Sequence, residues 1–470
     1  MSRNTIDFGI DLGTTNSVIS VANDGEIEII KNKNYEITPS MVYFDKRGRA
    51  YRGHGAASNL TRVENAADVQ AEFKREMGQE TKRKFEAAGK SMSPEELSAE
   101  ILMELRRAAG ERFGQEPIAA VITVPAMFEL PQNDATSRAA KLAGFDHAIL
   151  LQEPVAAATA YGFKSDSDKA YWLVYDYGGG TFDVSLIAIR DGQLSVVKHD
   201  GDNYLGGSDF DRALVDELIL PQLRDQYDLD QLDRVNAGAD PLTRGRLAVL
   251  TNVAEEVKKA LSRDDTESIY REGVFKDDSN TDVDVEIEVS RSAFEHLIQP
   301  QVKKSLDITN RLLQDAKIKP SDIEKVLLVG GSTFVPLVQQ QVATLGIPVD
   351  RTMDPMTVVS YGAAVFASAQ RMPKGLVVTV PVAVGAAQLD LEYEPVGKDL
   401  APPVMGKVLV DGAIPTGCVV VINRTDGGWE SGDLPLDGKG MFFTNVQLRE
   451  KGQSAFEATV RNDAGTKLEC

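Results

Sequence analysis

The chain spells one passage twice, and that repetition limits what it can fold into. A short apolar strand, Thr5-Ile6-Asp7-Phe8-Gly9-Ile10, runs into the turn Asp11-Leu12-Gly13-Thr14-Thr15-Asn16. A strand at 17–22, the turn Asn23-Asp24-Gly25 and a strand at 26–30 complete a meander. About 165 positions further on, the same order returns. A strand at 171–175 leads to Asp176-Tyr177-Gly178-Gly179-Gly180-Thr181, then a strand at 182–189, the turn Asp191-Gly192 and a strand at 194–198. One such glycine turn is a tight hairpin and nothing more. Two, each in the same strand context and each carrying an Asp and a Thr, predict a duplicated α/β domain with two related lobes.

Helices interleave with further strands around these meanders. Ser93 is a good N-cap, Pro94 suits the first helical position, and Glu96 completes a capping box. The helix that follows should turn Leu97, Ile101, Leu102 and Leu105 inward and stop near Gly114. A buried strand is expected at 119–124, then a helix closed by Gly144 in the left-handed position, and another from Glu153-Pro154 to about residue 161. The second half predicts a helix at 241–261, an acidic strand region at 268–289 and a helix at 294–316. A buried strand at 325–329, a helix from Pro336 and a last helix at 361–370 follow. Beyond residue 373 the helical period disappears. The nearly apolar stretch 376–389, broken by Pro381 and Gly385, reads as two strands, and runs at 407–410, 418–423 and 454–460 alternate with Gly, Pro and Asp turns. The expected organisation is a two-lobed unit at 1–371 (lobe I at about 1–168 and 357–371, lobe II at about 169–356), a linker at 372–376 and an all-β module at 377–470.

The chemistry follows from the two turns. No G-x-x-x-x-G-K-[ST] loop and no G-x-G-x-x-G opening a helix is present, so the common phosphate loops are not supported. A pair of glycine hairpins offers another solution, because glycine lets backbone N–H groups approach a polyphosphate closely and form an anion nest. Gly13, Thr14 and Thr15 would form one jaw, and Gly178, Gly179, Gly180 and Thr181 the other. Asp11 and Asp176, ending the first strand of each copy, would face the gap and suit Mg²⁺ held largely through its waters. The 470 residues carry 51 Lys and Arg against 71 Asp and Glu, a net charge of −20. That argues against nucleic-acid or anionic-membrane partners, which need a basic face. The four histidines, His54, His147, His199 and His296, have no ligand spacing, and the two cysteines, Cys418 and Cys470, form no disulfide framework. The run from Ser2 into a strand reads as lacking a signal peptide, and the expected location is cytoplasmic.

Six strings occur in order: D-L-G-T-T-N-S, V-P-A-M-F, Q-E-P-V-A-A-A-T-A-Y-G, D-Y-G-G-G-T-F-D-V-S, G-D-N-Y-L-G-G-S-D-F-D and L-V-G-G-S-T-F-V-P. Over residues 4–371 they closely resemble the nucleotide-binding domain of the seventy-kilodalton heat-shock (DnaK-type) chaperones, within the actin-like ATPase superfamily. The resemblance implies an ATPase with two lobes around a cleft, using ATP/ADP, Mg²⁺ and, as a further candidate, K⁺. Carried over position by position, it implies that Asp11, Asp176 and Asp183 organise the metal and the attacking water. Thr14, Thr15, Asn16 and Thr181 would hold phosphates; Lys74 would be the catalytic lysine, and Glu153 would act on Mg²⁺ and water. The base side would be Gly207, Glu255, Lys258, Lys259 and Ser262, facing Gly330, Gly331, Ser332 and Phe334.

Several positions depart from the family. It usually places arginine where Lys259 and Phe334 stand, so a point charge and an aromatic face replace two planar cations. Pro125 matches a proposed switch proline, but the arginine expected after it is Asn133. Lys374-Gly375-Leu376-Val377-Val378 stands where the family has an acidic, leucine-rich linker, and the stretch between Lys74 and Ser93 is short. The terminal module matches no peptide-binding domain of the family. The implied function is an ATP-hydrolysing chaperone-type switch acting on an unfolded or specialised protein client, with J-domain and nucleotide-exchange partners left open. An actin-like filament protein and a small-molecule kinase of the same superfamily are the alternatives.

Overall fold

The computed structural model describes residues 5–23, 25–162, 171–190, 193–238, 240–373, 375–376, 386–393, 399–410, 413–449 and 454–468. Its first sheet holds β1 (Phe8–Leu12), β2 (Asn16–Asn23), β3 (Glu26–Ile29), β4 (Ala119–Val124) and β5 (His147–Gln152) in the order β5-β4-β1-β2-β3. The second holds β6 (Tyr171–Tyr177), β7 (Phe182–Arg190), β8 (Gln193–Asp202), β9 (Ile323–Val329) and β10 (Val349–Asp350) in the order β10-β9-β6-β7-β8. In each sheet the opening strand pairs antiparallel with the next and parallel with a later, buried strand. The duplication read in the turns is therefore a duplication of sheet topology.

Each parallel crossover needs a long connection, and helices supply it. Between β3 and β4 runs α1 (Pro94–Phe113), which carries both halves of the Ser93–Glu96 capping box and ends at Gly114 with φ 78°. Leu97, Ile101, Leu102 and Leu105 are all buried. Next come α2 (Leu130–Leu142), followed by Gly144 at φ 90°, and α3 (Glu153–Ala160). The second half adds α4 (Gly207–Leu214), α5 (Pro241–Leu261), α6 (Arg291–Ala316), α7 (Pro336–Ala343) and α8 (Val358–Ala367). The acidic region is a hairpin of Thr266–Lys276 and Asp282–Ser290, with Val283, Val285, Ile287 and Val289 buried and the alternating carboxylates outward.

Three expectations need correction. The helix expected from residue 294 starts at Arg291, because Ser290 Oγ accepts from Ala293 N and caps it. The last helix starts at Val358 rather than residue 361, because the Asp354 carboxylate and carbonyl cap the entering turn and Val358 and Val359 are buried. The strand after residue 192 runs to Asp202, well past 198; the ladder to β7 continues through Asp183 opposite Gly201. The turn residues Asp24, Asp191 and Gly192, together with Lys374 and Cys470, lie outside the described residues, as do residues 377–385, on which most of the expected two strands at 376–389 fall.

One apolar cluster joins the two sheets. Val121 and Leu151 from the first, and Trp172, Val174, Ile187, Leu327 and Val329 from the second, close over Ala156, Ala157, Val358, Val359 and Ala363. So α3 and α8 cross between the sheets, and they cross closely: a Cβ on Gly362 would overlap the carbonyl oxygen of Ala156. Beyond this unit, the strands Ala387–Tyr393, Pro403–Val410 and Met441–Asn445 form one three-stranded sheet, and Leu434–Pro435, Val419–Arg424 and Phe456–Arg461 a second. Val404, Val408, Val420, Ile422, Phe442 and Val460 fill the core of this β-module. It touches the first lobe where Arg371 Nη2 donates to Leu391 O at 2.9 Å.

Replacing Gly362 by Ala forces backbone apart in a packed helix crossing. Overpacking of this kind should lower stability by about 1–3 kcal/mol, read as a reduced urea midpoint. A midpoint unchanged from the parent would mean that α3 and α8 do not cross as described.

Candidate functional site

The two glycine hairpins meet. A Cβ on Gly179 would run into the Thr15 side chain, and one on Gly180 into Thr14 Cγ2 and, at 3.1 Å, Arg75 Nε. Only hydrogen at these two positions lets the turn after β6 lie against the turn after β1. Thr15 Oγ1 is buried there with no hydrogen-bond partner, and so is Arg75 Nε. Donors left unsatisfied at a junction of two anion-nest turns suit phosphate oxygens. Behind the first turn, Ser40 Oγ donates to Gly13 O at 2.8 Å. Asn16 opens β2, and its carbonyl oxygen leaves no room for a side chain on Gly13.

Below the hairpins lies a cluster of carboxylates. Asp176 and Asp183 sit directly opposite each other across β6 and β7, two carboxyls whose joint ionisation opposes sheet stability. Glu153 heads α3, where the helix dipole favours a negative charge, and accepts from Lys74 Nζ at 2.7 Å with both side chains nearly buried. Burial pushes Asp11 up to about 7, with the Glu153 charge adding to it; Lys74 and the Thr123 hydroxyl, donating to Oδ1 at 3.2 Å, pull the other way. Burial and then Glu153 push Asp183 to about 7 against Lys74 and Thr181. Asp176 is raised well above the usual range by burial, then by Glu153, Asp183 and Asp11. Four carboxylates that feel one another are thus balanced by one ammonium, and a divalent cation would relieve that imbalance. Among the described residues no three ligand side chains converge tightly enough to hold a metal directly. Carboxylates of this kind suit a hydrated Mg²⁺ beside a phosphate.

Between α5 and α4, Lys258 Nζ donates to Asp211 Oδ2 at 2.7 Å and to Gly207 O at 3.0 Å. Ser332 Oγ donates to Gly178 O at 2.8 Å, which ties the turn after β9 to the second hairpin. Gly330 packs on Tyr177 O and Asp176, and Gly331 against the Met356 sulfur. Lys259 and Glu255 pair at 2.7 Å; burial works to raise Glu255, but Lys259 and Lys258 outweigh it and hold the carboxyl low. Ser262 Oγ donates back to Lys258 O at 3.1 Å, so it serves the end of α5. Phe334 is 44% exposed at the end of the short turn Gly331–Phe334.

Sequence reasoning missed two groups here. Asp211 is the buried partner of Lys258, raised to about 6 by burial against that lysine's pull. Its signal was its place one turn after Gly207 on α4. The other is a ring of ion pairs across the cleft. Glu72 pairs with Arg75 at 2.9 Å and Arg212 at 2.7 Å, Arg212 pairs with Asp209 at 2.7 Å, and Arg75 lies 3.6 Å from Asp209 while donating to Gly180 O. The i,i+3 spacings of Glu72–Arg75 and Asp209–Arg212 were legible, but the link between the two pairs was not, because they lie about 140 residues apart in the chain.

A family model described as Hsp70 protein matches residues 7–374. The chain is 38% identical over 362 residues to the Chaperone protein DnaK of Mycoplasmopsis pulmonis (strain UAB CTIP), covering 77% of this chain and 58% of that protein. The match thus spans under two thirds of that relative's length.

The raised carboxyls set a pH dependence. Asp183 is protonated up to about pH 7 in the folded chain, whereas the unfolded carboxyl ionises near 3.8. The native state therefore binds more protons between these values, and stability falls as pH rises through that window. Asp183→Asn should match the parent near pH 4 and become more stable than it toward pH 8, measured by thermal unfolding without nucleotide or magnesium. A constant difference across that range would contradict the shift.

Proposed function

The chain belongs to the Hsp70 family, and from that premise we propose that it binds and hydrolyses Mg-ATP in the cleft between its two hairpins, as a chaperone-type switch. The nucleotide-binding unit is residues 1–371, with lobes at about 1–168 plus 357–371 and at 169–356. The observation that carries the reading is the contact of the Thr14–Thr15 turn with Gly179 and Gly180 above the Asp11, Asp176, Asp183 and Glu153 carboxylates. In this reading Gly13, Thr14, Thr15, Asn16, Gly178, Gly179, Gly180 and Thr181 bind the phosphates. Asp11, Asp176 and Glu153 would hold Mg²⁺ through waters, and the charge such a cation supplies would offset that of the phosphates.

The chain's own residues do the rest. Lys74, fixed by Glu153 at 2.7 Å, places an ammonium beside the γ-phosphoryl oxygens, where charge spreads in the transition state. Asp183, held by Thr181, accepts a hydrogen bond from the attacking water and orients it. Gly207, Glu255, Lys258, Lys259 and Ser262 face Gly330, Gly331, Ser332 and Phe334 around the nucleoside. The exposed Phe334 ring stacks on the base. Client handling rests on membership of a chaperone family, and the partner is an unfolded or specialised protein. The carboxylate cluster suits activation of water better than of a sugar hydroxyl, and nothing in the fold favours filament formation.

Removing one transition-state donor of this kind costs about 2.7–4 kcal/mol, roughly 10²–10³ in rate. Lys74→Ala should therefore lower single-turnover ATP hydrolysis by that factor while leaving nucleotide affinity within a few-fold. Hydrolysis at the parental rate would refute the role. Phe334→Ala should do the reverse, weakening ATP binding with saturated turnover nearly intact, and unchanged affinity would sink the stacking role. Measuring phosphate release with and without an unfolded peptide tests coupling to a client.

A further inference from the structure

Away from the cleft, the first lobe carries a concavity of about 700 Å³ between the hairpin Val42–Phe44/Ala50–Arg52 and the short helical turns at residues 54–66. It shares no lining residue with the glycine jaws. Four cations line it, Lys46, Arg47, Arg49 and Arg62, against one carboxylate, Asp45. That balance is unusual in a chain whose net charge is −20. Asp45 is already engaged: it accepts from the backbone N–H groups of Arg47 and Arg49, each at 2.9 Å, and from the Tyr51 hydroxyl at 3.4 Å. Those bonds, the Arg49 amide first, hold its carboxyl below the usual range, and its reach to Arg49 Nε is a long 3.9 Å. Lys46, Arg47 and Arg62 make no ion pair among the described residues. Three like charges on one rim repel one another unless an anion joins them.

The floor is built rather than loose. Tyr43 is buried, its ring centroid 5.7 Å from that of Tyr51, and its hydroxyl donates to Asn65 Oδ1 at 3.0 Å. Asn65 Nδ2 donates to Asn59 Oδ1 at 2.8 Å, and Asn59 Nδ2 to Gly55 O at 2.9 Å. Ordering these groups costs little when a ligand arrives, because they are already ordered. Concavities of roughly 300–1,000 Å³ are the size that takes small molecules. Guanidinium forks match the oxygen geometry of phosphate, and the ammonium adds a point charge.

We propose that this pocket, formed by Lys46, Arg47, Arg49 and Arg62 over the Tyr43–Asn65 floor, is a second anion site that takes a small phosphate-bearing molecule, distinct from the nucleotide cleft. The rim cations grip the phosphate oxygens, and the half-buried Tyr51 ring, backed by Tyr43, carries the apolar part of the ligand.

The probe is inorganic pyrophosphate, titrated calorimetrically into the full chain with free Mg²⁺ held in excess, with and without saturating Mg-ADP. The expected result is one binding event that persists with Mg-ADP present and weakens as salt rises. It should weaken at least tenfold in the double variant Arg47→Ala/Arg62→Ala. Both side chains are exposed, so the variant should keep its unfolding temperature and its affinity for Mg-ADP. No binding event in the presence of saturating Mg-ADP would overturn the proposal, as would an event that the double variant leaves intact. Tighter binding of a short polyglutamate peptide than of pyrophosphate would also overturn it, because the surface would then be a dock for an acidic protein segment.

Discussion

The contact between Gly179–Gly180 and Thr14–Thr15 is the constraint on which the rest of the molecule depends. Two turns from different sheets can lie this close only if neither sheet is free to drift. The helices α3 and α8 meet that requirement by crossing between the sheets at near-backbone separation. Interiors packed at crystal-like density transmit small displacements rather than absorbing them. The β-module meets this unit where Arg371 donates to Leu391 O.

Charge is the second half of the same design. Fold stability alone would not place Asp176 opposite Asp183 with Asp11 and Glu153 nearby, since each carboxylate makes the others harder to ionise. Lys74 offsets part of that cost. The cluster is a local sacrifice that a metal-bound polyanion would reverse, and such sites are where sequence and structure are expected to disagree with stability. The ion-pair ring of Glu72, Arg75, Asp209 and Arg212 ties the turn that carries Lys74 to α4.

Much of this was legible in the residues, for identifiable reasons. Local chemistry reports local structure: Ser93, Pro94 and Glu96 placed the start of α1, and Gly114 and Gly144 the ends of two helices. The duplicated turns disclosed a duplicated topology because a hairpin with a fixed Asp and Thr is a local object that recurs. Illegible were the features set by distant partners. The onset of α8 depends on burial of Val358 between two sheets, and the extension of β8 to Asp202 on its ladder to β7. Asp211 and Arg75 acquired their meaning from Lys258 and from Gly180, residues far away in the chain. In the β-module the runs at 407–410, 418–423 and 454–460 disclosed three strands, whereas Leu434–Pro435 and Met441–Asn445 went unread, and which strand pairs with which depends on long-range contacts that alternation cannot encode.

The account turns on a shared grip by both hairpins, and calorimetric titration of Mg-ADP into the parent and Gly179→Ala tests it most directly. The expected outcome is a single magnesium-dependent site in the parent, with affinity reduced at least tenfold in the variant because the added methyl pushes the turn off Thr15. Absence of heat in the parent, or equal affinity in the two proteins, would contradict it.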